Sequence, residues 1–407
     1  MEIGPIARAL LHSRSRFLLV ALEIALTLAI VANCLNMISD QRRKMMRPTG
    51  LDEENVLVVE SKTFAPEFQE VNYARTIYEE DLRILRALPG VRAATGIDSI
   101  PLSGGGSSTG RRAADSEANT IGMPYFVLGT QALESLGVEL VAGRGFIESD
   151  YPPPGERPDA DPRSFNVLLT QQAADDLFPN GDALGKQIES ANDGSPDTVV
   201  GIIRRMHGSW PMSTLAERVM LFPGEPFSRR QTRYVVRAAP GMAGEVQGEL
   251  EETLLKVNAG RILQIRSLAD YKADTYRELS ALNTLLGGVS ALIVAVTALG
   301  IVGLTSFSVT QRMKQIGTRR ALGATRLAIL RYFLVENWLI TSFGLVTGLA
   351  LTYGLNFALA NMAEVPRIGF PLVGSGMILL WLVGLLAALA PALRGAAVPP
   401  VVATRTV

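Results

Sequence analysis

Three long stretches of this chain contain no charged residue, and they constrain its fold more than any other feature. They cover residues 281–310, 337–363 and 368–393. Each is longer than the ~20 apolar residues that a helix needs to cross ~30 Å of hydrocarbon. Near the start of the sequence, residues 17–38 form a fourth apolar run, which only Glu23 interrupts. We therefore predict a membrane protein built on an α-helical bundle of four spans.

The first apolar run also resembles a signal peptide, because a basic segment precedes it. Its apolar stretch is longer than a typical signal-peptide core, and no Ala-x-Ala cleavage site follows it. Asn33 stands where the lipoprotein cleavage pattern needs a small residue. We expect this span to be retained.

The composition argues against several classes of protein. Lys and Arg together number 39 and Asp and Glu also number 39, whereas a nucleic-acid-binding domain usually carries a basic excess. The single Cys excludes an intrachain disulfide, and the two His do not form a metal-binding cluster with Cys. The nearest approach to a phosphate loop has Asn180 in place of a Gly and Gln187 in place of Ser or Thr. Because no catalytic constellation is evident either, we expect a non-catalytic chain without a cofactor or metal of its own.

The basic residues predict the orientation in the membrane. They are concentrated before the first run, between the second and third runs and after the fourth, which four spans place on one, cytoplasmic, side. Residues 41–47 are also basic and lie on the other side, but they open a long segment, and long segments largely escape this rule. We predict a cytoplasmic segment and first span at residues 1–39, an extracytoplasmic domain at 40–280, and the other three spans at 281–407.

The extracytoplasmic segment shows two β-α-β patterns that flank an insertion. The predicted elements are a strand at 55–60, a helix at 73–88, a strand at 90–97, a strand at 232–239, a helix at 242–257 and a strand at 261–267. This order predicts a large α+β domain, with a split, ferredoxin-like βαβ subdomain and an inserted β-rich subdomain at about residues 100–230. Helical sequence then continues without a breaker from Leu268 to Thr310, about 60 Å at ~1.5 Å per residue. We expect the surplus length to project from the membrane as a stalk.

Few polar residues lie inside the predicted spans. Glu23 is either a functional carboxylate or, as we favour for a single acid, one paired with Arg14, Arg16 or a neighbouring helix. Asn33 and Asn36 are predicted to donate hydrogen bonds between helices.

Two further features of the spans concern helix packing. Glu336 is predicted to be an interfacial anchor or a partner of Arg331 or Tyr332. The second span has small residues that permit close approach of helices, namely Gly287, Gly288, Gly300 and Gly303.

A basic stretch, QRMKQIGTRRALGAT, separates the second and third spans at residues 311–325. On a helix, Arg312, Gln315 and Arg319 share a polar face, while the opposite face holds Met313, Ile316 and Gly317. Gly323 is a natural helix stop. The charges alone are compatible with a loop that only sets topology. The apolar residues within it favour docking onto a partner.

This stretch resembles the signature of MacB/FtsX-type ABC transporter permeases, R-x-x-E-I-G-[IL]-R-[KR]-A-L-G-A. The corresponding residues are Arg312, Gln315, Ile316, Gly317, Arg319, Arg320, Ala321, Leu322, Gly323 and Ala324. Similarity to the same family extends over LGVELVAGRGFIESD, QQAADDLFPNGDALGKQI and VVGIIRRMHG in the extracytoplasmic segment and over PALRGAAVPPVVATR at residues 391–405. Together these segments span nearly the whole chain.

The resemblance implies a permease of the bacterial inner membrane with its large domain in the periplasm. It implies a dimer with a second permease, identical or different, and a cytoplasmic ABC ATPase that binds ATP and Mg. We expect this ATPase on a separate chain. The ten signature residues would form an ATPase-coupling helix at 311–324, and ATP binding would move the periplasmic domains, a mechanism called mechanotransmission.

Three functions are compatible with the resemblance. The size of the outer domain favours export with a periplasmic adaptor and an outer-membrane duct. The alternatives are FtsX-like regulation of a cell-wall hydrolase and Lol-type lipoprotein extraction. One departure from the signature is Gln315 in place of Glu, which weakens any charge-assisted contact at this position. It either marks one half of a heterodimer or has no consequence.

Overall fold

The computed structural model describes residues 14–114, 120–152, 164–363 and 365–399. Its contacts divide the chain into two compact units. The α+β unit comprises Lys44–Leu279, and the helical unit comprises the chain up to Arg43 and from Ser280 onward. The segment predicted to be cytoplasmic before residue 14, and the end of the closing motif with Arg405, lie outside the described residues.

The α+β unit contains both helices and strands, whereas the helical unit contains helices alone among its described residues. The helices are α1 (Arg14–Met45), α2 (Val71–Ala87), α3 (Ala132–Leu136), α4 (Gln171–Leu177), α5 (Ala243–Val257), α6 (Leu268–Gln311), α7 (Met313–Ala321), α8 (Arg326–Ala363) and α9 (Phe370–Ala396). The strands are β1 (Val56–Thr63), β2 (Val91–Ile97), β3 (Ser107–Ala113), β4 (Ile121–Leu128), β5 (Leu140–Gly143), β6 (Asn166–Thr170), β7 (Gln187–Ser190), β8 (Pro196–Ile203), β9 (Met220–Pro223), β10 (Gln231–Ala238) and β11 (Arg261–Ser267).

The four predicted spans are confirmed as helices. Within the described residues, α1, α6, α8 and α9 are the four helices long and apolar enough to cross a membrane. Helix α6 runs without interruption for 44 residues, which corresponds to about 66 Å. The prediction of one long helix at this position is therefore confirmed.

Helix α1 packs closely against α8 in the helical unit. Its residues Ile24 and Leu28 are each 1% exposed. A Cβ atom at Gly344 of α8 would lie 2.9 Å from the carbonyl oxygen of Ala21, so only glycine permits this approach. The glycines predicted for close approach, in the second span, behave differently: a Cβ at Gly300 would meet Glu23 of α1, but a Cβ at its three other glycines would meet no described atom within 4 Å. Close packing against α1 therefore depends chiefly on the third span, because α6 presents most of its apolar stretch to the outside.

One eleven-stranded sheet organises the described residues of the α+β unit. Its strand order is β11-β1-β10-β2-β4-β3-β7-β8-β6-β9, with β5 paired to β8. Strand β1 is antiparallel to both β10 and β11, and β10 is antiparallel to β2. Helices α2 and α5 pack on this end of the sheet, so the six elements of the two predicted β-α-β patterns are all present.

The inserted residues continue the same sheet. Strand β2 meets β4 through one register pair, Ile97 with Leu128. The inserted strands pack on two apolar clusters. One joins Phe126 and Leu221 to Val56 of β1 and Val235 of β10, and the other lies around Phe222. The insertion is thus β-rich; its pairing with β2 is narrow, but it shares an apolar core with β1 and β10.

Candidate functional site

The basic stretch between the second and third spans folds into α7. Helix α6 ends at Gln311, and Arg312 has φ −101° and ψ 12°, which breaks the helical path. Gly323 has φ +97°, and the amide of Ala324 donates to the carbonyl of Arg319 at 3.0 Å. The helix is therefore shorter than the predicted 311–324. Gly323 stops it as expected, because a left-handed conformation is easiest for glycine.

One face of α7 is buried. Ile316 is 4% exposed, and Gly317 is buried beside it. Ile316 packs in an apolar cluster with Val309 of α6, Phe333 of α8 and Ala392 of α9. This is the apolar face that the helical pattern indicated. It anchors α7 to three of the long helices, so Ile316 and Gly317 are not available to a partner.

Arg312 lies on the same side as Gln315 and Arg319, since all three line one small cavity beside Tyr332, and its guanidinium bonds to α8. Its Nη1 donates to the hydroxyl of Tyr332 at 3.0 Å and to Oε2 of Glu336 at 3.1 Å. The Glu336 side chain is 10% exposed. The helical pattern grouped Arg312 with Gln315 and Arg319, but it did not indicate that Arg312 would pair with α8. Glu336 accordingly pairs with Arg312, not with Arg331.

The next two arginines also contact their own chain. The guanidinium of Arg319 lies 5.3 Å from the ring centroid of Tyr332, within reach of a cation–π interaction. Nη1 of Arg320 donates to the carbonyl of Ala396 at 2.8 Å and so binds one of the last carbonyls of α9. Arg319 is otherwise exposed, and Ala324 is half-buried.

The opposite side of α7 is open, and we call it the exposed α7 face. It consists of Lys314, Gln315, Thr318, Ala321 and Leu322. Leu322 is 83% exposed and is followed by the exposed Gly323. Lys314 and Thr318 were not among the predicted site residues. Lys314, Thr318 and Leu322 follow one another at intervals of four residues, which places all three on one stripe and could have identified them.

Glu23 faces a neighbouring helix. A Cβ at Gly300 of α6 would lie 2.9 Å from both carboxylate oxygens of Glu23. One turn further along α1, the hydroxyl oxygens of Thr27 and Thr297 are 2.7 Å apart. The carboxylate therefore lies on the α1–α6 contact. The predicted partners Arg14 and Arg16 have side chains outside the described part of the chain.

Asn33 and Asn36 belong to an amide network at the other end of the bundle. Nδ2 of Asn356 donates to Oδ1 of Asn33 at 3.0 Å, and Nδ2 of Asn36 donates to the carbonyl of Pro366 at 2.7 Å. Oδ1 of Asn356 accepts from the amide of Ile368 at 3.0 Å. The network ties α1 to α8 and to the connection that follows α8.

Comparison with protein families identifies two matching domains. The model of the MacB-like periplasmic core domain matches residues 18–253, and the model of the FtsX-like permease C-terminal domain matches residues 287–400. The first of these alone covers more than half of the chain. The candidate coupling helix lies inside the second.

Several curated proteins are similar to this chain. An uncharacterized ABC transporter permease of Bacillus subtilis, YvrN, is 28% identical over 59% of this chain and 61% of its own length. A second from the same organism, YknZ, is 23% identical over 81% of this chain and 79% of its own length. The macrolide export ATP-binding/permease protein MacB of Wolinella succinogenes is 28% identical over 58% of this chain, which corresponds to 38% of MacB.

Proposed function

Because the chain belongs to the ABC transporter permeases that combine a MacB-like periplasmic core domain with an FtsX-like permease domain, we propose that it couples ATP hydrolysis to motion of its periplasmic domain for export. The chain is the non-catalytic membrane subunit in this proposal. A separate cytoplasmic ABC ATPase binds ATP and Mg²⁺, and a second permease completes a dimer in the bacterial inner membrane. Similarity to MacB, a macrolide export ATP-binding/permease protein, supports export over the other functions.

The exposed α7 face is the observation that carries the proposal. Helix α7 is fixed on one side by Ile316 and leaves Leu322 83% exposed on the other. An apolar side chain set among Lys314, Gln315 and Thr318 fits an interface whose apolar centre has a polar rim. A partner bound there would act on α6 and α8 through the buried face of α7.

We place the ATPase contact on fewer residues than the signature contains. Gln315, Ala321, Leu322 and Gly323 are exposed and form the contact in this proposal. The other signature residues contact the chain's own helices: they are Arg312, Ile316, Gly317, Arg319, Arg320 and Ala324. A change in an anchoring residue would disturb the helix as well as the contact, so it tests docking less cleanly.

The route of motion follows from continuity of the chain. Helix α6 directly precedes α7 in the sequence. It begins at Leu268, directly after β11, and runs to Gln311 without a break. We propose that displacement of α7 reaches the α+β unit along α6. We also interpret the strand order β11-β1-β10-β2 as a split, ferredoxin-like subdomain, with the inserted β-rich subdomain as the part available to a periplasmic adaptor or an outer-membrane duct.

Co-purification with an ATPase tests the proposal. The tagged chain is isolated in mild detergent from its own cells, and ATPase activity is assayed on the proteins that accompany it. Leu322→Asp puts a charge at the centre of the exposed α7 face, and we expect the activity to fall at least tenfold, because a desolvated, unpaired charge costs more than ~1.4 kcal/mol. Met362→Asp is the matched control, since Met362 is 86% exposed at the far end of α8.

The test compares the ATPase activity that co-purifies with each of the two variants. Equal activity with Met362→Asp and wild type, together with loss in Leu322→Asp, supports docking on α7. Docking on α7 is contradicted if no ATPase activity co-purifies with the wild-type chain. It is also contradicted if as much activity co-purifies with Leu322→Asp as with Met362→Asp.

A further inference from the structure

A cavity of about 120 Å³ lies among α1, α6 and α8 in the helical unit. Its walls are apolar at Phe17, Leu304 and Ile340 and polar at Ser308, Arg312 and Glu336. A mixed lining of this kind suits a molecule that has an apolar body and a charged end.

The charged groups of this cavity have unused bonding capacity. Among the described residues, Arg312 donates only through Nη1, and Glu336 accepts only through Oε2. A guanidinium has five N–H donors and a carboxylate has two oxygens, so several donors and one acceptor oxygen stay available. These unbonded atoms are accessible to a small molecule. No nitrogen of Arg312 and no oxygen of Glu336 is both fully buried and without a hydrogen-bond partner. The cavity thus offers a cation and an anion side by side.

A smaller cavity of about 30 Å³ shares Arg312 and adds Arg319 and Tyr332. The two guanidinium carbons lie 5.9 and 5.3 Å from the Tyr332 ring centroid, so two positive groups flank one ring. Two arginines and one glutamate leave a net charge of +1 around the pair of cavities. A phosphate suits such a position, because its several oxygens can accept hydrogen bonds from both guanidinium groups.

The position of the cavity along the bundle indicates where the ligand comes from. Glu336 lies ten residues after Arg326, the start of α8, or about 15 Å along the helix. Arg312 lies at the end of α6, on the side of the bundle that carries α7. Phospholipid headgroups occupy this depth of a membrane, with their acyl chains directed toward apolar walls such as Leu304 and Ile340.

We propose that this cavity binds the headgroup of a zwitterionic phospholipid, with the phosphate on Arg312 and Arg319 and the ammonium on Glu336. Phosphatidylethanolamine has both charges. An anionic lipid such as phosphatidylglycerol has no ammonium, so its phosphate would face Glu336 without compensation. The inference does not depend on the identity of the ATPase partner, since it requires only that the helical unit spans a membrane.

Native mass spectrometry of the purified full-length chain tests the site. Delipidated protein is offered phosphatidylethanolamine and phosphatidylglycerol with identical acyl chains, and soluble phosphoethanolamine is offered in a separate arm. We expect the wild-type chain to retain phosphatidylethanolamine about tenfold better than phosphatidylglycerol, as one charge-assisted hydrogen bond would produce. Soluble phosphoethanolamine should not displace the lipid, because it lacks the acyl chains.

Two variants probe the cavity in different ways. Ser308→Leu fills it without changing a charge and should abolish the preference, whereas Ser375→Leu introduces the same change at an exposed serine of α9 and should preserve it. Glu336→Gln removes the anion and should make the two lipids bind equally.

Each contrary result would overturn the assignment. A wild-type chain without preference excludes a headgroup site at Glu336. A preference that survives both Ser308→Leu and Glu336→Gln places lipid selection elsewhere on the chain. Displacement of the lipid by phosphoethanolamine alone makes the ligand a soluble zwitterion.

Discussion

The two ends of the helical unit are held together by different chemistry. At the end remote from α7, Asn33, Asn36 and Asn356 form a neutral network in which the amide groups bond to one another and to the carbonyl of Pro366. At the α7 end, the link between helices is an ion pair, with one hydrogen bond of 3.1 Å between Arg312 and Glu336 and a cavity beside it. Neutral amides need specific partners in fixed directions, whereas a partly bonded ion pair accepts alternative ones.

This difference indicates that the two ends of the helical unit have different roles. The amide network fixes α1 to α8 and to the connection between α8 and α9, so we expect this end to stay unchanged when ATP binds. The Arg312–Glu336 pair connects the start of α7 with α8, beside the exposed α7 face. We expect this end to rearrange.

The largest expected effect is loss of the amide network. Asn356→Leu removes the partners of Oδ1 of Asn33 and of the amide of Ile368, while the carbonyl of Pro366 keeps its bond from Asn36. Unpaired polar groups of this kind cost about 1–3 kcal/mol each, so we expect a loss of about 3 kcal/mol in the free energy of unfolding. Denaturant unfolding in detergent measures it. Asn361→Leu, at an exposed position of the same helix, should change stability by less than about 0.5 kcal/mol. Equal stability of the two variants would show that the network is not structural.

Glu336→Leu should have a smaller effect at the other end. It leaves Arg312 without its anion, and because Arg312 is 24% exposed we expect a loss of about 2 kcal/mol rather than the 3–5 kcal/mol of a fully buried pair. The double variant Arg312→Met/Glu336→Leu contains neither charge and should recover most of the loss in the same unfolding experiment. Additive effects of the two changes would mean that the pair is not coupled.

The α+β unit also contains two buried polar groups that differ in their hydrogen bonding, Asp81 and His207. Asp81 is fully buried and accepts hydrogen bonds from Arg261 and, at 2.7 Å, from the hydroxyl of Tyr234. His207 is equally buried, but its Nε2 lies 3.6 Å from Oε1 of Glu217, and neither ring nitrogen makes a hydrogen bond among the described residues. Burial lowers the pKa of His207 below its ordinary value, and the negative charge of Glu217 opposes this only in part.

The burial of His207 therefore predicts that the free energy of unfolding depends on pH. The unfolded chain binds a proton at His207 near pH 6.5, before the folded chain does, so the stabilising contribution is complete above pH 6.5 and declines as the pH falls below it. The decline is at most about 1.4 kcal/mol per pH unit for one group. Denaturant unfolding at pH 7.5 and 5.5 measures it, and His207→Gln should remove this share of the slope. An unchanged slope in His207→Gln would contradict the assignment.

The smallest expected effect is that of Gln315→Glu on the exposed α7 face. An exposed ion pair contributes about 0.5 kcal/mol, so ATPase binding should tighten about twofold at low salt and less at high salt. Titration of the purified ATPase against both variants measures the change. A tenfold change in either direction would place Gln315 at the centre of the contact instead of its edge.

Sequence reasoning was most successful where one local pattern decides the structure. The four apolar runs predicted the four long helices, and Gly323 predicted the end of α7, because length in an apolar medium and left-handed backbone are local properties. Ile316 was assigned to the apolar face of the helix, but this face packs on the chain's own helices and not on a partner.

Tertiary contacts were not predictable from these patterns. The helical pattern does not reveal that Arg312 pairs with Glu336, which is 24 residues away in another helix. Asn356 was not singled out, since one asparagine in an apolar run does not reveal that Asn33 and Pro366 converge on it. The insertion was expected as a separate subdomain, and only the register pair between β2 and β4 shows that its strands continue one sheet.

The most direct test of ATP-driven motion is the distance between the α+β units of two copies in the assembled complex. Cys34 is the only cysteine, so Cys34→Ala followed by Ile262→Cys, at a 65% exposed position of β11, gives one spin label per chain. Pulsed electron paramagnetic resonance then measures the label separation with and without ATP. We predict a shift of the distance distribution in the otherwise wild-type complex and no shift when Leu322→Asp is added. An unchanged distribution in a complex that hydrolyses ATP would contradict the proposed coupling.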